Sequence, residues 1–186
     1  MTRRLLLLSA IVTVIVALAG PQVFAGDDAW LAYTTRAVNL REGPGKDFRA
    51  LRQLEAGHAI FVISTERTDG FLPVVDIETA EKGWVHGSYI QLDSVVPPND
   101  EAVFTPEGRT SSGESELEIY NNTRHTLTLS LNETVYRLGP QERRTVAVSA
   151  GDYRYRASAP GVIPDYGAET IQDGYRYTWQ FYTVMR

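Results

Sequence analysis

Residues 38–92 constrain the fold more than any other part of the chain, because short apolar runs alternate there with glycine turns. Val38 and Leu40 alternate with polar neighbours, as in a strand with one buried face. The segment Glu42-Gly43-Pro44-Gly45 ends that run, since glycine tolerates a positive φ and proline presets a turn. Three further apolar runs follow without a helical period, and Asp69-Gly70 separates two of them. Five short strands in so few residues predict a small closed barrel.

Four motifs in this stretch carry a resemblance to a known family. The opening VNLREGPG resembles the family pattern LNVRSGPG, and the closing GWVHGSYIQL resembles GWVxSxYL. LEAGHAIFVIS and DGFLPVVDI stand between them in the family's order. Over residues 33–92 the chain therefore resembles a bacterial SH3-like (SH3b) domain. The resemblance implies an SH3-like barrel, which we place at residues 26–93, and a role in binding cell-wall peptides or other proteins.

The resemblance also implies a candidate ligand groove. In eukaryotic SH3 relatives, an aromatic residue after a DG turn and the Pro and Tyr of a PSNY turn line a groove for polyproline. Phe71 stands at the first of these positions, His86 replaces the proline and Tyr89 matches the tyrosine. Pro73 and the lack of the usual Trp disfavour a polyproline ligand. We expect these three residues to bind a short extended peptide, with Arg41 contacting a charged group on it. The alternative is that Phe71, Trp84 and Tyr89 are core residues of the barrel.

The first 25 residues have the pattern of an export signal. Arg3 and Arg4 precede an apolar run, and Val23-Phe24-Ala25 forms a small-x-small cleavage site. An uncleaved membrane anchor is the alternative, but Gly20-Pro21 would interrupt its helix before the bilayer is crossed. The sequence predicts a signal peptide at residues 1–25 and a periplasmic or secreted mature protein without a stable membrane anchor.

Composition narrows the possible chemistry. The chain has no Cys, so it has neither a disulfide nor a reactive thiol. Its formal charge is −5, and loss of Arg3 and Arg4 with the signal peptide makes the mature protein more acidic. That acidity argues against a nucleic-acid partner.

No residue set predicts catalysis, a metal site or a cofactor. The three histidines lack the spacing of metal ligands. A triad of Ser88, His86 and Asp76 is conceivable, but Ser88 has no Gly-x-Ser-x-Gly turn around it. The sequence therefore predicts a protein that is not an enzyme.

The second half of the chain predicts another all-β unit. Residues 94–115 are rich in Pro, Gly, Ser and acids and are interpreted as a linker. Residues 116–186 alternate clearly, and about six strands at close spacing predict a compact antiparallel β-sandwich. The last strand places four aromatic rings on one face, and they favour a core role over sugar stacking: Tyr175, Tyr177, Trp179 and Phe181.

The other polar residues of this unit suggest a partner surface. Arg154, Arg156, Arg176 and Tyr182 are the candidates, because Arg and Tyr are enriched at interfaces. Taken together, the sequence predicts an exported, non-enzymatic binding module of the bacterial envelope that recognises peptidoglycan or an envelope protein. The alternative is an assembly subunit that docks a protein through the sandwich. A hydrolase is disfavoured, because the usual catalytic Cys is absent.

Overall fold

The structure is a computed structural model that describes residues 28–181. The predicted signal peptide and Tyr182 lie outside these residues. The described chain contains fifteen strands, one 3₁₀ turn (Gly87–Tyr89) and no α-helix. The strands are β1 (Ala29–Thr34), β2 (Val38–Arg41), β3 (Ala50–Leu54), β4 (Ala59–Val62), β5 (Phe71–Asp76), β6 (Lys82–His86), β7 (Ile90–Val96), β8 (Thr105–Arg109), β9 (Ser115–Asn121), β10 (Leu127–Leu131), β11 (Thr134–Leu138), β12 (Arg143–Val148), β13 (Gly151–Ser158), β14 (Asp165–Ile171) and β15 (Tyr175–Phe181).

The first seven strands form one sheet in the order β3-β2-β6-β5-β4-β1-β7. Their alternating apolar residues point inward, and the largest of them are fully buried, as the period-2 pattern predicts: Leu40, Leu54, Ile60, Val62, Val74 and Val85. This is the predicted SH3-like barrel. Strand β7 continues to Val96, beyond the predicted end of the barrel at residue 93.

The remaining strands form two four-stranded sheets, β11-β10-β13-β14 and β12-β9-β15-β8. One core cluster joins their inner faces and includes Leu129 from the first sheet and Trp179 from the second. The predicted all-β fold, a barrel followed by a sandwich, is confirmed. All strand pairs of the sandwich are antiparallel except β9 and β15, which run parallel.

The predicted linker, residues 94–115, contains strand β8, which pairs with β15 at the edge of the second sheet. Its turn-like composition hid this strand. Pro106 has no N–H to donate, and an edge strand is where a proline is tolerated. Phe104, just before β8, is buried in the sandwich core. The sandwich therefore starts before residue 116.

The barrel and the sandwich meet at Tyr166 of β14. Its ring lies edge-on to Phe61 of β4, with 5.7 Å between ring centroids. Its hydroxyl donates to the Val96 carbonyl at 2.6 Å and accepts from the Ala29 N–H at 3.2 Å. The Gly161 N–H donates to the Ile77 carbonyl at 2.7 Å. These contacts form a small second core on the outer face of the barrel.

Candidate ligand-binding site

A two-residue turn places the first residue of the candidate groove. Thr68 and Phe71 exchange backbone hydrogen bonds of 3.0 and 2.8 Å across Asp69 and Gly70. Both turn residues have positive φ, 50° and 81°, as a type I′ hairpin turn requires. A Cβ on Gly70 would lie 3.1 Å from Nε2 of His86, so glycine also leaves room for the imidazole. Phe71 thus begins β5 directly opposite His86 on β6.

The 3₁₀ turn after β6 places the other two residues. Nδ1 of His86 accepts a hydrogen bond from the Ser88 N–H at 3.3 Å and so caps the turn. The Gly87 N–H donates to the Gly70 carbonyl at 2.8 Å, which ties this turn to the hairpin turn. The bond to Ser88 leaves Nδ1 without a proton, so neutral His86 carries its N–H on Nε2.

Phe71, His86 and Tyr89 form a continuous row of rings, which we call the aromatic row. The Phe71 and His86 centroids are 5.1 Å apart in an edge-to-face arrangement, and His86 and Tyr89 are 5.4 Å apart. The expectation that barrel closure brings these residues together is confirmed. Phe71 is buried, with 5% exposure, whereas His86 and Tyr89 are half-buried. Phe71 therefore supports the imidazole, and His86 and Tyr89 offer the accessible polar atoms.

Two arginines that the sequence reasoning did not name lie beside the aromatic row. Cζ of Arg36 lies 5.3 Å from the centre of the Tyr89 ring, within cation–π range. The guanidinium of Arg67 lies beside Gly87, where a Cβ would be 3.0 Å from its Nε. Both side chains are exposed, and neither forms an ion pair with any residue in 28–181. The accessible part of the row thus has a positively charged rim.

Arg41, the predicted charged contact, has a different set of partners. Its Nη1 donates to the carbonyls of Lys46 at 3.0 Å and Phe48 at 2.8 Å. These bonds brace the loop between β2 and β3, in which the Phe48 ring packs over Gly43. A Cβ on Gly43 would lie 2.4 Å from that ring, which explains the glycine of the REGPG motif. The structure shows Arg41 bracing this loop, and its contact with a ligand stays a prediction.

A buried carboxylate lies at the far end of β5. Asp76 is fully buried and accepts four hydrogen bonds, two on each oxygen. Oδ1 accepts from Nε2 of His58 at 2.7 Å and from the Glu78 N–H at 3.0 Å. Oδ2 accepts from Nη1 of Arg52 at 2.8 Å and from the Thr79 hydroxyl at 2.7 Å. The sequence reasoning considered Asp76 only as a member of a triad.

That triad does not form. The imidazole bonded to Asp76 is that of His58, and His86 is bonded to the Ser88 N–H instead. The ligand atoms of His58, Asp76 and Glu78 do lie within 4.8 Å of one another. However, Arg52 bridges Asp76 and Glu78 and supplies their positive charge. The arrangement is that of a structural ion pair that closes the β5–β6 turn.

Comparison with known proteins decides what this barrel is. Residues 36–91 match the family model of the bacterial SH3 domain. This segment is a bacterial SH3 domain. The match spans β2 to the start of β7 and includes the whole aromatic row. No curated protein and no solved structure matches the chain.

The family match indicates a general class of function, which is binding. Bacterial SH3 domains form a family of binding domains that generally recognise cell-wall components or proteins, and the family is not catalytic. Among residues 28–181, no helix is long and apolar enough to cross a membrane.

Outside the SH3 domain, the predicted partner residues do not form one surface. Arg154 and Arg156 alternate on β13 with buried Tyr155, so they lie on the outer face of the first sheet. Arg176 lies on the outer face of the second sheet, where it forms a 2.7 Å ion pair with Glu116. The outer faces of a sandwich point in opposite directions. The sequence could not show this, because alternation gives the face of a strand but not its sheet.

Proposed function

We propose that this chain is an exported, non-enzymatic binding protein of the bacterial envelope, and that its SH3 domain binds peptidoglycan through the aromatic row. The observation that carries the proposal is the convergence of two half-buried polar rings, His86 and Tyr89, within a domain family that binds cell-wall components. An imidazole N–H and a phenol can pair with the backbone groups of an extended peptide.

The two arginines beside the aromatic row indicate the charge of the ligand. Arg36 and Arg67 have no acidic partner among the described residues, although the chain carries more acidic than basic residues. A guanidinium that lies over or beside a ring is well placed to bind a carboxylate in a fork geometry. We therefore infer a short peptide that bears free carboxylates, as the stem peptides of peptidoglycan do. An envelope protein with an acidic segment is the other ligand of this chemistry.

The small area of the row implies weak binding, on the order of micromolar to millimolar dissociation constants. A repetitive wall polymer compensates for weak sites, because dissociated protein rebinds to a neighbouring copy. The alternative of an assembly subunit that docks through the sandwich gains no support from its arginines, which lie on opposite faces.

The double substitution His86→Ala with Tyr89→Ala should abolish retention of the mature protein on purified peptidoglycan. The reason is that it removes both accessible polar rings while leaving the barrel core intact. Co-sedimentation with sacculi measures retention, and circular dichroism checks the fold. Wild-type retention should also decrease as salt is raised, because exposed charges are screened.

Tyr175→Ala is a matched control, since Tyr175 is also half-buried and has Arg109 over its ring at 5.1 Å, but lies in the sandwich. It should be retained like the wild type. Retention of the folded double variant at the wild-type level would exclude the aromatic row as the binding site. Parallel capture from an envelope extract would show whether a protein is bound instead.

Export has its own test. We expect the protein purified from its native envelope to begin at Gly26, because the small residues before that position fit a signal-peptidase site. Intact mass spectrometry measures this directly. A retained Met1, or recovery of the protein from the cytoplasm, would contradict export.

A further inference from the structure

The two sheets of the sandwich enclose a cavity at one corner. Strands β11 and β12 are edge strands, one in each sheet, and the turn at residues 139–142 joins them. Since β11 leads into this turn and β12 leads out of it, Thr134 and Val148 lie at the strand ends that are far from the turn. Between these two ends is a cavity of about 210 Å³ that opens to solvent, which we call the corner cavity.

Residues on the inner faces of both sheets line the corner cavity. Leu131 of β10 is buried, and Thr134 lies opposite it on β11 and so on the same face. The rings of Tyr136 and Tyr153 are half-buried and pack against the sandwich core, as does Val148 from the other sheet. None of the lining residues is charged. The cavity therefore combines an apolar base with walls that carry aromatic rings and hydroxyl groups.

Three lining residues carry a hydroxyl group that has no hydrogen-bond partner among residues 28–181: Thr134, Tyr136 and Ser149. The hydroxyl of Tyr153 is different, because it accepts from the Ser149 N–H at 3.1 Å and donates to the Ser149 carbonyl at 3.0 Å. These two bonds fix the Tyr153 ring and the turn that carries Ser149. The corner cavity thus has one fixed wall and three hydroxyls, each of which can donate a hydrogen bond to a ligand or accept one from it.

These properties suit a single uncharged sugar ring. A sugar ring has C–H groups on its faces, which pack against aromatic rings, and hydroxyls around its edge, which pair with other hydroxyls. A charged ligand would lose solvent here without gaining a counter-charge, and that loss costs free energy. Sites for drug-sized ligands measure about 300–1,000 Å³, so the smaller corner cavity has room for one ring and not for a longer chain.

We propose that the corner cavity is a carbohydrate-binding site. Tyr136 and Tyr153 pack against a neutral sugar ring, and the hydroxyls of Thr134, Tyr136 and Ser149 bind its edge. These two tyrosines are distinct from the aromatic face of β15, three of whose four rings are buried. The site lies on the sandwich and gives the protein a second ligand besides that of the SH3 domain. It does not depend on the function of the aromatic row.

The experiment titrates the isotope-labelled mature protein with methyl β-glucoside or N-acetylglucosamine and follows its backbone amides by NMR. The Ser149 amide reports on the corner cavity, and the Ser88 amide, which donates to His86, reports on the aromatic row. The variants Tyr136→Phe and Thr134→Val each remove one hydroxyl and keep the shape of the side chain. Tyr33→Phe is the matched control, since Tyr33 is partly exposed and its hydroxyl also lacks a partner among the described residues, but it lies in the barrel.

We expect both sugars to shift the Ser149 amide saturably, with a dissociation constant on the order of millimolar for a ligand of this size. Tyr136→Phe and Thr134→Val should each weaken binding roughly two- to tenfold, the effect of losing one hydrogen bond, whereas Tyr33→Phe should bind like the wild type. Glucuronate, which carries a negative charge, should bind more weakly than either neutral sugar.

Four results would overturn the proposal. One is the lack of a saturable shift at Ser149, including the case in which only Ser88 shifts and the sugar binds at the aromatic row. Another is wild-type affinity in both Tyr136→Phe and Thr134→Val. Glucuronate that binds as tightly as the neutral sugars would contradict the selection against charge. Tighter binding of N-acetylleucinamide than of the sugars would show that the corner cavity takes an apolar peptide side chain instead.

Discussion

Replacing Trp179 by alanine should lower the free energy of unfolding of the sandwich by about 3–5 kcal/mol, the range measured for large buried aromatic residues. Trp179 is 5% exposed and lies at the centre of the sandwich core. Its ring centroid is 6.0 Å from that of Phe104, 6.2 Å from that of Tyr155 and 5.9 Å from that of Phe181. Truncation therefore removes contacts to both sheets and to the segment that leads into β8.

Thermal unfolding followed by circular dichroism measures this effect. For a unit of this size, a loss of 3 kcal/mol lowers the melting temperature by roughly 12 °C or more. Val135→Ala is the control, because Val135 is 57% exposed on β11 and should cost at most about 0.5 kcal/mol. A Trp179→Ala protein of unchanged stability that no longer binds a carbohydrate would show that the aromatic face is a sugar platform and not a core.

The barrel could be predicted because its turn signals are local, and the aromatic row because the family resemblance places its three residues beside those turns. Asp69-Gly70 specifies a type I′ turn whatever surrounds it, and the turn places Phe71 at the start of a strand. The motif GWVHGSYI then fixes where β6 ends. The alternation in the last strand also predicted which of its residues face inward, and Tyr177 and Trp179 are buried as predicted.

What the sequence did not reveal depends on contacts between distant segments. Arg36 lies beside Tyr89 because the Thr35 N–H donates to the Tyr89 carbonyl at 2.9 Å, across more than fifty residues. Strand β8 pairs with β15, which follows it by more than sixty residues. The composition of β8 itself indicates a turn. The parallel pairing of β9 with β15 has no local signature either. Periodicity predicts faces, but partners and neighbours are set by topology.

Tyr166 shows the same limit and bears on the predicted domain organisation, in which a linker at residues 94–115 separates the barrel from the sandwich. Its contacts with Phe61, Val96 and Ala29 join the sandwich to the barrel. A protease cut in the loop at residues 110–114 would leave β8 on the fragment that contains the barrel, although β8 pairs with β15. Cleavage there would therefore not divide the chain into its two structural units.

The substitution Asp76→Asn should cost about 3 kcal/mol at neutral pH, because breaking a buried ion pair leaves uncompensated partners behind. Asn has one acceptor oxygen where Asp76 has two. Its NH₂ group would therefore face two donors, either Arg52 and Thr79 at the position of Oδ2 or His58 and the Glu78 N–H at the position of Oδ1. Glu78→Gln is the matched control. Glu78 bonds the same guanidinium, but its side chain is 65% exposed, so the loss should stay below about 1 kcal/mol.

The same carboxylate makes stability depend on acid pH. Burial raises the pKa of Asp76. Hydrogen bonds from His58, Thr79 and the Glu78 N–H together lower it by a larger amount, so the net pKa lies below the ordinary value. A lowered pKa in the folded state means that the contribution to stability is fully present above the unfolded pKa of about 3.9 and is lost as the pH falls through the folded value. Urea unfolding between pH 7 and pH 3 should therefore show a steeper acid loss for the wild type than for Asp76→Asn, which has no carboxylate to titrate there. Parallel pH profiles, or equal small losses for Asp76→Asn and Glu78→Gln, would show that this buried network does not stabilise the SH3 domain.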